Sequence, residues 1–169
     1  SLPLAYGVEA FVSPLAIDVA AESITTAPRV RGSVGEGTVG YGWLLRWDTV
    51  NSVKATVELA KRDVLVKYAT REFTLDGRLW KRGTIFVPRG GNSPEIKNIL
   101  LDVAAKTGAT FVPARTGMTE KGIDLGSDSV VRLKKPCLCL VSGRRMSASS
   151  YGSARFMLES IYDVPYSAV

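Results

Sequence analysis

The stretch that decides the fold is TIFVPRGGNSPEIKNILLDVAAKTG, residues 84–108. It opens with the apolar run at residues 84–87, which predicts a buried β-strand. After a glycine-containing turn, Ser93 and Pro94 are typical of the N-cap and the first position of a helix, and Gly108 is typical of its end. The predicted helix has its apolar positions on one face: Ile96, Ile99, Leu100, Val103 and Ala104. The stretch therefore predicts a strand, a tight loop and an amphipathic helix.

The same alternation of strand and helix precedes this stretch. Every second residue from position 41 to 47 is large and apolar, which predicts a strand with one face formed by Tyr41, Trp43, Leu45 and Trp47. Residues 50–62 predict a helix that begins at Asp48 or Thr49, and residues 64–68 predict the next strand. Residues 72–87 predict a hairpin whose two-residue turn is Asp76-Gly77.

Strand and helix also alternate after residue 108. Short strands are predicted at residues 110–112, 130–133 and 137–141, and a last helix at residues 151–161. The fold class predicted from this pattern is α/β, with a mostly parallel sheet flanked by helices in three layers and a local antiparallel hairpin.

The domain organisation follows from length and composition. The 169 residues, 46% of them hydrophobic and 22% charged, are enough for one domain with a sizeable core. Residues 1–34 lack sustained periodicity and predict an irregular N-terminal arm, joined to an α/β domain at residues 35–169 through a flexible segment at residues 32–37. The chain begins at Ser1 rather than at methionine, which suggests a piece of a longer protein.

Composition excludes several kinds of chemistry. The sequence contains no histidine, which excludes histidine metal ligands, histidine general bases and the Ser-His-Asp and Cys-His triads. Cys137 and Cys139, the two cysteines, lie in a predicted core strand, so we expect buried thiols rather than a zinc site, and no metal ligands in this chain.

The basic charge does not predict a nucleic-acid partner. The net charge is +6, but adjacent basic residues occur only as separate pairs, at residues 61–62, 81–82, 134–135 and 144–145. Such scattered pairs are typical of a solvated surface, whereas a nucleic-acid site usually concentrates its cations. The apolar runs are shorter than the roughly 18 residues of a membrane span, and neither a span nor a signal peptide is predicted.

The strongest candidate binding site is the loop Arg89-Gly90-Gly91-Asn92-Ser93. It lies between a strand end and a helix start, where backbone N–H groups, the helix dipole and the Arg89 guanidinium suit an anion. The alternative is a tight turn that needs glycine torsions and binds nothing. No catalytic residue is predicted, since the carboxylates lie on separate elements and no nucleophile has a base.

The aromatic stripe of the first strand has two interpretations. Exposed Trp43 and Trp47 would form a stacking platform for sugar rings. Buried, they would be core residues beneath a helix, which is the interpretation we favour at this point.

The order of several motifs resembles a known family. They are SLPLAYG at residues 1–7, WDxxNS at 47–52, FTLDG at 73–77, RGT at 82–84, VPRGG at 87–91 and GxDLGS at 122–127. In this order they resemble the region that follows the catalytic domain in bacterial carboxypeptidase A-like zinc peptidases, a region described as class I glutamine amidotransferase-like.

The resemblance implies a non-catalytic accessory domain of a zinc carboxypeptidase-like protein that is exported to the periplasm or beyond. Its partners would be the peptidase domain of the same protein and a peptide or cell-wall substrate. Zinc would belong to that peptidase domain, since this chain offers no matching ligand. Residues 134–169 would begin an incomplete amidotransferase-like unit. The alternative function is a carbohydrate- or anion-binding module, and an enzyme would require catalytic groups from another chain.

Overall fold

The computed structural model describes residues 9–16, 18–20, 22–26, 30–37 and 40–169. The strands are β1 (Ser33–Val34), β2 (Gly42–Leu45), β3 (Lys67–Ala69), β4 (Phe73–Leu75), β5 (Arg78–Trp80), β6 (Ile85–Pro88), β7 (Thr110–Ala114), β8 (Lys121–Gly122), β9 (Val130–Arg132), β10 (Cys139–Leu140) and β11 (Ser167–Ala168). The helices are α1 (Val50–Lys61), α2 (Ile96–Thr107) and α3 (Ala148–Phe156), and α3 continues as a π-helical turn, Met157–Ile161.

The main sheet has six strands in the order β1-β7-β2-β6-β3-β9. Strand β2 runs antiparallel to both of its neighbours, β6 and β7, and β3 runs antiparallel to β6 and β9. Only the edge pair β1 and β7 is parallel. Because β6 lies between β2 and β3, and β2 lies between β6 and β7, the units β2-α1-β3 and β6-α2-β7 are two interleaved split β-α-β units. This is the arrangement of a ferredoxin-like sheet.

The predicted mostly parallel, three-layer sandwich is therefore wrong. The two strands that flank α1 run parallel to each other, and so do the two that flank α2. In each pair, however, a strand of the other unit lies between them and runs antiparallel to both. Strand and helix alternate along the chain in both folds, so the alternation could not distinguish them. The layers differ as well, because a second sheet rather than a helix layer covers one face of the main sheet.

Two apolar cores lie on opposite faces of the main sheet. On one face α1 and α2 cover a core that includes Trp43, Leu59, Val87, Leu100 and Phe111. The other face is covered by an antiparallel three-stranded sheet in the order β5-β4-β8. The side chains of this second core include Leu44, Phe73, Trp80, Phe86 and Leu125. Successive residues of β2 alternate between the two cores, as the two-residue period of a strand requires.

Several local predictions are confirmed. Helix α1 begins after Thr49, whose hydroxyl accepts a hydrogen bond from the Ser52 amide at 3.2 Å. Helix α2 ends at Gly108 in the left-handed conformation. The hairpin β4–β5 turns at Asp76-Gly77 with positive φ at both residues, although its second strand ends at Trp80 and β6 belongs to the main sheet.

Other local predictions are wrong. The predicted flexible joint contains β1, and a Cβ on Gly32 would lie 2.1 Å from the Ala104 carbonyl oxygen, so this glycine permits close packing. Helix α2 begins at Ile96 rather than at Pro94. Cys137 and Cys139 are exposed rather than buried, because their segment lies outside both cores.

The two ends of the chain contribute little to the cores. The described residues from 9 to 26 form no helix or strand and are exposed, while the motif at residues 1–7 lies outside the described residues. Residues 134–169 contain no buried residue, yet β10, α3 and β11 form a parallel β-α-β unit. Within the described ranges, every helix falls short of the length and apolarity needed to cross a membrane.

Candidate functional site

The predicted anion loop lies where β6 leaves the main sheet. The Arg89 amide donates to the Tyr41 carbonyl oxygen at 2.9 Å, which continues the pairing of β6 with the residues before β2. The loop borders an open hollow of about 770 Å³ that Tyr41, Lys67 and Pro94 also line. The structure thus brings Arg89, Gly90 and Asn92 to one surface hollow.

Asn92 has a structural role in this loop. Its Oδ1 accepts from the Leu65 amide at 2.7 Å, and its Nδ2 donates to the carbonyl oxygens of Leu65 at 3.0 Å and Pro88 at 2.7 Å. The amide group therefore joins the segment before β3 to the end of β6. These three bonds favour the turn interpretation for Asn92, because they leave its side chain little capacity for a ligand.

Of the other loop residues, Gly91 fits the turn interpretation and Gly90 has no evident structural requirement. Gly91 has a φ of +81°, which favours glycine, whereas a Cβ on Gly90 would meet no atom within 4 Å. The Ser93 hydroxyl accepts from the Glu95 amide at 3.2 Å instead of capping α2 directly. Anion binding by Arg89 and the Gly90 amide stays a prediction.

The two tryptophans of the aromatic stripe differ in burial. Trp43 is 2% exposed and Trp47 is 46% exposed. Strand β2 ends at Leu45, so Trp47 lies beyond the sheet and no longer follows its alternation. A platform formed by both rings is excluded, because Trp43 belongs to the core beneath the helices.

A largely apolar groove of about 390 Å³ lies beside α1, and we call it the α1 groove. One wall is formed by α1 and the residues that follow it, and the opposite wall by residues 132–136 and the chain end near Val164. Trp47 also lines it. The apolar lining consists chiefly of Val53, Val57, Ala60, Val64, Val66, Leu133, Pro136, Val164 and Pro165.

Basic residues surround this apolar lining. Lys61 forms an ion pair with Asp163, and Lys135 forms one with Asp63 at 3.4 Å. Arg132 and Lys134 also line the groove, and neither forms an ion pair with a residue of the described ranges. The groove therefore joins an apolar lining to two cations without counter-ions.

No local sequence pattern indicates this groove. Its lining comes from four separated segments, and an adjacent pair such as Lys134-Lys135 is by itself typical of a solvated surface. The one available signal was the position of Lys134 and Lys135 beside an apolar residue and a proline, Leu133 and Pro136.

Among the described residues, the most buried charged side chain lies between α1 and α2. Glu58 of α1 accepts from Lys106 at 2.9 Å and from Arg62 at 3.0 Å, and Arg62 also donates to Asp102 at 2.7 Å. The hydrogen bond from Lys106 lowers the pKa of Glu58, with a further contribution from Arg62, while partial burial opposes the shift. These contacts join α1 to α2.

No group of three potential metal ligands converges among the residues that the structure describes.

Comparison with known proteins gives no relative. No protein-family model matches the chain, and neither a curated protein nor a solved structure is similar to it. The α1 groove and the hollow beside Arg89 must be interpreted from their chemistry, because a ferredoxin-like topology does not by itself indicate a function.

Proposed function

We propose that this chain is a non-catalytic accessory domain that acts packed against another domain, and that this other domain is the peptidase domain of a zinc carboxypeptidase-like protein. The observation that supports this proposal is the structure of residues 134–169. They form a parallel β-α-β unit that leaves its apolar side chains largely in solvent.

The exposed side chains of this unit support a covering partner. Phe156 is 57% exposed, Val141 is 53% exposed and Met146 is 50% exposed. Parallel strands are normally covered on both faces, and here β10 and β11 pair only with each other among the described strands. An apolar surface of this kind is typical of a protein interaction site.

The peptidase as partner rests on the order of the six sequence motifs. The absence of histidine from the chain supports an accessory rather than a catalytic role, because the zinc ligands of such a peptidase would have to come from the other domain. A surface that presents a peptide or cell-wall substrate to that domain belongs to the same proposal.

The test compares this chain with the parent protein that contains it. We expect zinc and carboxypeptidase activity in the parent only, and slower amide hydrogen exchange at residues 138–157 in the parent than in the isolated chain. Equal exchange rates would contradict the packing, and a parent protein without zinc or peptidase activity would contradict the choice of partner.

Two substitutions provide a matched comparison. Phe156 on α3 and Leu79 on β5 are each 57% exposed. In the parent, Phe156→Asp should increase exchange at residues 138–157, because a charge would be placed in the covered surface. Leu79→Asp, on the second sheet, should leave that exchange unchanged.

A further inference from the structure

We propose that the α1 groove binds the carboxylate form of a free fatty acid, with the alkyl chain along the apolar lining and the carboxylate beside Arg132 and Lys134. This site goes beyond the proposed accessory role. It is tested on this chain alone, so its failure and the failure of the proposed function are distinguishable.

The charge at the groove selects an anion. Four cations line it, and Lys61 and Lys135 are neutralised by Asp163 and Asp63. Arg132 and Lys134 supply two positive charges that no described carboxylate balances. A carboxylate at this end of the groove would be attracted by both positive charges.

The lining selects an alkyl chain rather than a peptide. Its uncharged polar side chains are Trp47 and Thr56, and the Thr56 hydroxyl already donates to the Ser52 carbonyl oxygen at 2.8 Å. A peptide backbone in the groove would bury amide groups with few side-chain partners, which is unfavourable. An alkyl chain has no such groups, and its only polar atoms are those of the carboxylate.

The size of the groove suits a small ligand. Its volume of about 390 Å³ lies near the lower end of the range for ligand pockets. Val57 and Ala60 are three residues apart and therefore neighbours on the groove side of α1. A larger side chain at Ala60 would take up the space of the alkyl chain.

The experiment is a titration of the chain with decanoate, at concentrations below those at which decanoate forms micelles. Calorimetry and tryptophan fluorescence monitor the binding. We expect saturable binding of one decanoate per chain. Ala60→Trp should abolish binding, and the double variant Arg132→Gln, Lys134→Gln should weaken it on the order of fivefold, the effect of two exposed ion pairs. Both sites of the double variant are exposed, which keeps the test valid if Ala60→Trp fails to fold.

Matched controls separate the proposed site from general attraction. The double variant Arg71→Gln, Lys97→Gln removes two exposed cations outside the groove lining and should bind decanoate like the unchanged chain. Decanol, which lacks the charge, should bind more weakly and should not distinguish the two double variants. The proposal is overturned if decanoate does not bind saturably, if both double variants lose affinity equally, or if only phosphatidylglycerol vesicles bind.

Discussion

At the scale of single residues, burial separates side chains that the sequence made equivalent. Trp43 and Trp47 share a face by alternation, but only Trp43 lies inside the sheet. Its indole Nε1 has no hydrogen-bond partner in the described structure, so the ring stabilises the core through apolar contacts alone. Asn92 is the opposite case, because a polar side chain predicted to bind a ligand joins two backbone segments instead.

Trp43→Ala should lower the free energy of unfolding by about 3–5 kcal/mol, since it removes a large buried ring and leaves a cavity. Trp47→Ala should cost about 1 kcal/mol, because nearly half of that side chain is already in solvent. Urea denaturation followed by circular dichroism measures both. Equal losses for the two variants would contradict the assignment of Trp43 alone to the core.

Asn92→Ala should cost about 2–3 kcal/mol, because it removes three hydrogen bonds and leaves the Leu65 amide without its acceptor. Asn98→Ala, at an exposed position of α2, is the control and should change stability by less than about 0.5 kcal/mol. A phosphate titration followed by NMR tests the alternative. If phosphate shifts the Gly90 and Gly91 amide signals of the unchanged chain, and Asn92→Ala keeps its stability but loses those shifts, the loop is a binding site and not a structural turn.

At the scale of elements, the turns and helix contacts contribute through identifiable groups. The β4–β5 hairpin depends on positive φ at Asp76 and Gly77, which have values of +52° and +68°. The α1–α2 pair depends on Glu58, whose carboxylate contacts Lys106 across the helix interface. The turn acts through backbone conformation, which a glycine substitution tests. Glu58 acts through charge, which the pH dependence of stability tests.

Gly77→Ala should destabilise the chain by about 1 kcal/mol, because an alanine in the left-handed region is strained even though its Cβ would meet no atom within 4 Å. Gly90→Ala is the matched control, since its Cβ would also be unobstructed and its φ lies outside the strained range. Thermal unfolding should show a loss for Gly77→Ala and none for Gly90→Ala. A loss of equal size in both would indicate that backbone conformation is not the cause.

Glu58 should make the stability depend on pH in a defined direction. Its pKa in the folded chain is below the ordinary value of 4.5, so its stabilising contribution is complete above about pH 4.5 and is lost as the pH falls through the lowered pKa. Glu58→Gln should therefore be less stable than the unchanged chain at pH 7, with a difference that shrinks on acidification.

A double-mutant cycle identifies the partner of Glu58. At pH 7, Lys106→Met should cost more stability when it is made in the unchanged chain than when it is made in the Glu58→Gln variant. The reason is that Lys106 donates to the Glu58 carboxylate, which the variant lacks. A coupling of zero, or one that grows as the pH falls, would contradict the assignment.

At the scale of the whole molecule, the two cores are complete without the C-terminal unit. Ending the chain after Pro136 should lower the free energy of unfolding by no more than about 2 kcal/mol, because residues 134–169 contain no buried residue. Ending it after Asp128 should cause a far larger loss, since β9 and the buried Val130 are removed. Chemical denaturation of the two shortened chains tests this, and similar losses would assign the C-terminal unit to the fold.

The separation of the segments explains what could be predicted. Helix α1 and the Asp76-Gly77 turn depend on residues close in sequence, so their patterns were sufficient, and the pattern narrowed the helix cap to Asp48 or Thr49. The pairing of β2 with β6 and β7 joins distant segments and leaves no local pattern. The α1 groove is likewise formed by residues from Trp47 to Pro165, so no motif predicted it.

The interleaving of the two split units has a kinetic consequence. Neither sheet neighbour of β2 follows it directly in the chain, so a growing chain gains no sheet contact for β2 until β6 has been synthesised, and β2 keeps an unpaired edge until β7 emerges. Closure of these long loops must precede the contacts that stabilise them, which slows folding. A nascent chain that ends before β7 would therefore expose an apolar strand edge, and an unpaired edge of this kind favours aggregation.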